Sequence, residues 1–133
     1  MMALDTNVLV RFLVKDDDQQ ARLVYQLFKQ TEVNQECLFV PLLVVLETIW
    51  VLQSCYGVPD DDIAKALSQL LLMPVLKFEG QPIIQGFITS SHNAKCDLAD
   101  LLIAHSAKMS NCQSIVTFDK KAARFEFFEL LTG

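Results

Sequence analysis

Ser114-Ile115-Val116-Thr117-Phe118-Asp119 is a short apolar run that ends on an acid and passes directly into Lys120-Lys121-Ala122-Ala123. The chain opens with the same grammar: Met1-Met2-Ala3-Leu4 ends on Asp5, and Thr6-Asn7-Val8-Leu9 follows. Two apolar segments that each deliver a carboxylate at their C-terminal edge read as parallel strands whose ends share one crevice, where open α/β sheets hold their ligands. Between these runs, strand and helix patterns alternate. A helix is expected over 6–14 with Thr6 as its cap, and another restarts at the acids 16–18 and carries an apolar stripe to about residue 30. Those acids, like Asp60-Asp61-Asp62, suit helix N-termini, where the dipole favours negative charge.

Further along, 37–40 reads as a strand and Pro41 as the first turn of a helix reaching 56, stopped by Gly57. A helix from the acids at 60–62 is ended by Pro74. A strand at 75–78, helices over 83–91 and 97–109, the strand 114–118, a short helix through Arg124 and a last strand at 127–130 complete the chain. Alternation of this kind specifies an α/β sandwich with a largely parallel sheet. At 133 residues with no linker, repeat or low-complexity tract, one domain over 1–133 is expected.

Composition excludes several classes. Hydrophobic residues make up 52% of the chain, so it is not disordered. Asp5 and Arg11 interrupt any apolar leader, and the longest apolar stretch, 38–52, is broken by Pro41, Glu47 and Thr48 and falls short of the roughly 18 residues of a membrane span. A cytoplasmic protein with no membrane partner is expected. The four cysteines form no C-x-x-C pair, so zinc and dithiol readings lack support and buried free thiols are expected. A net charge of −5 argues against nucleic acid. Yet setting aside Asp5, Glu47, Asp97, Asp100 and Asp119 leaves eleven acids against eleven bases.

Those five acids are the candidate site. Glu47 has Leu43, Val44, Trp50 and Val51 one turn away, so its helix reads as buried all round, where a carboxylate needs a partner. Asp97 and Asp100 lie one turn apart on a shared face, kept uncrowded by Ala104. Asp97 reads equally as a helix cap or as a member of the site, whereas Asp100 reads as helix interior, where capping does not explain it. Thr117 and Asp119 are two apart on a strand, and the Thr hydroxyl can orient a carboxylate or hold a water. Several carboxylates share a pocket only when a cation neutralises them. A site of oxygen ligands without His or Cys suits Mg²⁺ or Mn²⁺, and such ions serve phosphodiester hydrolysis. His105 reads as core or interface. Arg11, Lys108, Lys120, Lys121 and Arg124 are candidates for touching a nucleic acid backbone.

The strings Leu4-Asp5-Thr6-Asn7-Val8-Leu9, Leu46-Glu47, Asp97-Leu98-Ala99-Asp100-Leu101-Leu102-Ile103-Ala104 and Val116-Thr117-Phe118-Asp119 resemble the acidic motifs of PIN domains, in particular the small VapC-type toxins of prokaryotic toxin–antitoxin pairs. The resemblance covers essentially the whole chain. It implies a three-layer α/β/α sandwich with a short, mainly parallel sheet, and a Mg²⁺- or Mn²⁺-dependent ribonuclease. By that resemblance Asp5, Glu47, Asp100 and Asp119 match the metal-binding acids, Asp97 an accessory acid, and Thr6, Asn7 and Thr117 their polar neighbours. It further implies an RNA substrate, a cognate antitoxin and a homodimer. The alternatives are a non-catalytic PIN-like module that binds RNA or protein, and an acidic-pocket phosphohydrolase. The latter wants a D-x-D pair where Asp5-Thr6-Asn7 supplies one acid.

Overall fold

Leu38-Phe39-Val40 runs buried, half-buried, buried, and as β2 (Leu38–Val40) it takes a parallel neighbour on each side. The computed structural model describes residues 1–133, which divide into two compact units, 1–80 and 81–133. In the first unit β1 (Met2–Ala3) pairs with β2, Met2 opposite Leu38 and Ala3 opposite Phe39. β3 (Leu76–Phe78) pairs with β2's other edge, Leu38 opposite Leu76 and Val40 opposite Phe78. β1 is minimal, and Leu4 extends its ladder by donating its N–H to the Phe39 carbonyl at 2.8 Å.

Parallel neighbours need crossovers. Helices α1 (Thr6–Leu13) and α2 (Asp18–Val33) join β1 to β2, and α3 (Leu42–Ser54) and α4 (Asp60–Leu71) join β2 to β3. Leu9, Val10, Val45, Ile49, Ile63 and Leu67 on these helices are fully buried. At about 1.5–3 kcal/mol per large apolar side chain, that burial holds strands too short to persist alone.

The helix starts are chemical. Asp17 caps α2 by accepting the Gln20 N–H at 3.0 Å, so the acidic run at 16–18 does open a helix. Pro41 occupies the cap position of α3 and offers no capping side chain; instead Glu79 Oε1 accepts the Leu42 N–H at 2.8 Å. α3 ends two residues earlier than its periodicity predicts. Gly57, at φ +60°, then turns the chain, with its N–H on the Gln53 carbonyl at 3.2 Å and that of Val58 on the Leu52 carbonyl at 2.9 Å.

The second unit contains α5 (Gln81–Ser91), α6 (Leu98–Met109), β4 (Ile115–Thr117), a 3-10 turn (Ala122–Arg124) and β5 (Phe128–Leu130). β4 and β5 are parallel, Ile115 opposite Phe128 and Thr117 opposite Leu130. Every strand pair in the protein is therefore parallel, in one three-stranded and one two-stranded sheet. Ala104, Ala122 and Phe128 form a buried cluster against which Ile115, Phe125 and Phe127 pack. Ala104 is fully buried in this cluster. No helix is long and apolar enough to cross a membrane. The cysteines are free thiols, but Cys55 and Cys112 are exposed and Cys37 and Cys96 half-buried, so the expectation of buried thiols is corrected.

Candidate active site

Asp5 follows β1 and is itself the cap of α1, its Oδ1 accepting the Thr6 N–H at 2.8 Å. Thr6, expected as the cap, is instead the buried first residue of the helix. Its hydroxyl donates to Glu47 Oε1 on α3. One threonine thus binds two acids, Asp5 through its amide and Glu47 through its side chain. Asn7 is exposed in the same first turn.

Glu47 is exposed, which corrects the expectation of burial. α3 is apolar but not enclosed. Its buried stripe is Val45, Thr48, Ile49 and Leu52, while Leu43 and Trp50, on the face of Glu47, are 77% and 57% exposed. Arg11 spends its donors within the unit. Its Nε donates to Gln20 Oε1 at 2.7 Å and its Nη1 to Tyr56 Oη at 3.0 Å, with Asp16 Oδ1 at 3.4 Å. Tyr56 in turn donates to Asp16 Oδ2 at 3.0 Å.

In the second unit α6 starts at Leu98, so Asp97 occupies the cap position, though its side chain does not make the capping hydrogen bond. Asp100 therefore belongs to the first helical turn, not to the interior. The dipole there favours its charge, yet its carboxyl is raised above the ordinary range, first by burial and then by Asp97 and Asp119. The Cys96 thiol is raised as well, by burial, Asp100 and Asp97. These acids crowd one another.

β4 ends at Thr117, so Asp119 stands in the turn beyond the strand and two-residue strand alternation does not reach it. The turn is built by hydrogen bonds. Thr117 Oγ1 accepts the Asp119 N–H at 3.0 Å, and Asp119 Oδ1 accepts the Lys121 N–H at 2.8 Å. Lys120 and Lys121 are exposed immediately after it. Lys108 lies over the rings of Phe125 and Phe127, 5.5 and 5.0 Å from their centroids. His105 is half-buried, its Nε2 2.8 Å from Ser90 Oγ, and burial followed by Lys108 pushes its pKa down.

A family model of the PIN domain matches residues 2–128. This chain belongs to the PIN domain family. Over 127 residues, 96% of this chain and 93% of the relative, it is 26% identical to a VapC ribonuclease of Aquifex aeolicus (strain VF5).

The side chains of this PIN domain suit a hard divalent cation in kind. They are carboxylates, Asp100 bears the cost of two like charges, and such a cost is relieved by a cation. No three of its His, Cys, Asp or Glu side chains are gathered as a finished ligand cage. Sequence reasoning gave no role at the site to three contributors. Glu79 reaches the start of α3 from 37 residues away, Tyr56 bridges Arg11 and Asp16, and Cys96 sits against the acids. Only Cys96, one residue before the Asp97 string, lay where a motif directs attention.

Proposed function

We propose that this protein is a metal-dependent endoribonuclease, the toxin of a toxin–antitoxin pair, acting in the cytoplasm as one domain over residues 1–133. The observation that carries the reading is the Asp100 carboxyl, raised first by burial and then by the neighbouring charges of Asp97 and Asp119. Alongside it, Asp5 and Glu47 share Thr6. A carboxyl shifted by burial together with named like charges is a functional-site candidate. The PIN match, which runs through both units, supports treating them as one domain.

In this proposal Asp5, Glu47, Asp100 and Asp119 hold Mg²⁺ or Mn²⁺, with Asp97 as an accessory acid. A bound divalent ion supplies an acidified attacking water and neutralises charge on the phosphate. Thr6 fixes the Glu47 carboxylate, and the amide of Lys121 with the hydroxyl of Thr117 fixes Asp119. Lys120 and Lys121 meet the RNA backbone first. Lys108 and Arg11, already engaged internally, add field more than contact. An antitoxin and a homodimer are proposed on the likeness to the VapC relative, and exposed Leu43 and Trp50 offer apolar surface for either.

The test is RNA cleavage with and without divalent ions, in wild type and Asp119→Asn. Cleavage should require Mg²⁺ or Mn²⁺ and fall about 10²–10⁴-fold in the variant, the loss of several kcal/mol of charge stabilisation. Cleavage that persists in excess chelator sinks the mechanism.

A further inference from the structure

The second unit carries an open groove of about 620 Å³ bordered by Thr89, Asn93, Lys95, Arg124, Phe125 and Glu126. Its composition stands out against the chain. A protein of net charge −5 here gathers two cations against one acid, around a half-buried aromatic ring. Lys108, outside the groove's lining, holds its ammonium 5.5 Å from the Phe125 centroid and adds positive field nearby. Hydroxyl and amide side chains from the end of α5 and the segment after it complete the wall, and Ser90, also on the wall, is held by His105 at 2.8 Å.

Cations interleaved with an aromatic face are what a single nucleic acid strand requires: ammonium and guanidinium groups for phosphates, and a π-surface for a base. The same two segments also carry acids of the proposed active site. Lys95 lies two residues before Asp97, within about 7 Å of extended chain, and Arg124 follows Asp119 across the 3-10 turn. We propose that this groove is a docking site for a single-stranded segment of RNA, apart from the carboxylates, which leads the strand toward Asp97 and Asp119. The proposal rests on the ribonuclease reading for its choice of ligand. It assigns Lys95 and Arg124 to phosphates and Phe125 to a base.

The test separates the two. Binding of a fluorescein-labelled oligouridylate to the full chain is followed by anisotropy in excess chelator at low salt, where no cleavage is needed. Lys95→Ala/Arg124→Ala should weaken binding about tenfold and reduce the slope of log K on log salt by about 1.4 in magnitude, two single-strand phosphate contacts' worth. Lys95→Arg/Arg124→Lys should bind as wild type does. Glu126→Gln, which removes the groove's one acid, should bind more tightly, a gain that misfolding does not imitate. With divalent ions present, the double alanine variant should raise KM for long RNA and leave kcat unchanged. Wild type that binds no oligouridylate, or an alanine variant whose affinity and salt slope equal those of wild type, overturns the docking site whatever the nuclease activity. Saturable binding of polyglutamate in place of RNA overturns it too, assigning the groove to an acidic peptide. Groove-dependent binding in a protein that never cleaves RNA would instead uphold the groove and remove the nuclease.

Discussion

Thr6 is the residue through which the first unit's two acids are held. Thr6→Val keeps shape and burial but removes the donor to Glu47 Oε1, while the amide bond to Asp5 stays. Outer partners of metal-binding carboxylates are worth about 10–100-fold in affinity or activity. RNA cleavage should fall by that factor in Thr6→Val and be retained in Thr6→Ser; equal loss in both would assign Thr6 to packing alone. Asp100 makes the opposite kind of prediction. Its folded pKa is raised, so the stability gained by protonation is fully present below the ordinary value near 3.8 and lost as pH rises through the folded value. At neutral pH its charge is a cost, and Asp100→Asn should melt no lower than wild type without metal. Mn²⁺ should then raise the midpoint of wild type more than that of the variant. A large loss of stability in metal-free Asp100→Asn would mean a structural partner instead.

At the scale of elements, α5 and α6 meet where Gly86 faces His105. A β-carbon at Gly86 would stand 2.9 Å from His105 Nδ1 and 3.2 Å from Cε1, against a ring held at its other nitrogen by Ser90. Alanine in a helix is worth up to about 1 kcal/mol over glycine, but forcing the pair apart costs about 1–3 kcal/mol. Gly86→Ala should therefore destabilise in urea titrations, and a stabilised variant would show that the ring yields freely. The lowered His105 pKa adds a pH dependence. The neutral ring is favoured when folded, so stability falls as pH drops below the ordinary value of 6.5. Element boundaries also explain what the sequence could and could not disclose. Each acid was legible because it follows an apolar run or opens a helical stripe. The role of Asp100 was misread because the start of α6 at Leu98, with Asp97 as cap, decides whether it is interior or first turn. Glu47 was misread because an apolar helix reads alike whether its outer face is covered by core or left open.

For the whole molecule, the parallel strands and their crossovers follow from the alternation of short apolar runs and helical stripes, which is a long-range pattern. The bond from Glu79 to the amide of Leu42 does not follow, since it joins positions 37 residues apart with no local signature. The protein has a single tryptophan, and Trp50 lies on the open face of α3, in line with Glu47 and Leu43. Intrinsic emission is thus a one-site optical probe of that face. The native spectrum should be that of a wetted indole, red-shifted and readily quenched by acrylamide. A second copy or another protein that covers α3 should shift it to the blue and shield it. The wavelength of one indole therefore tells whether the outer face of α3 is open or covered.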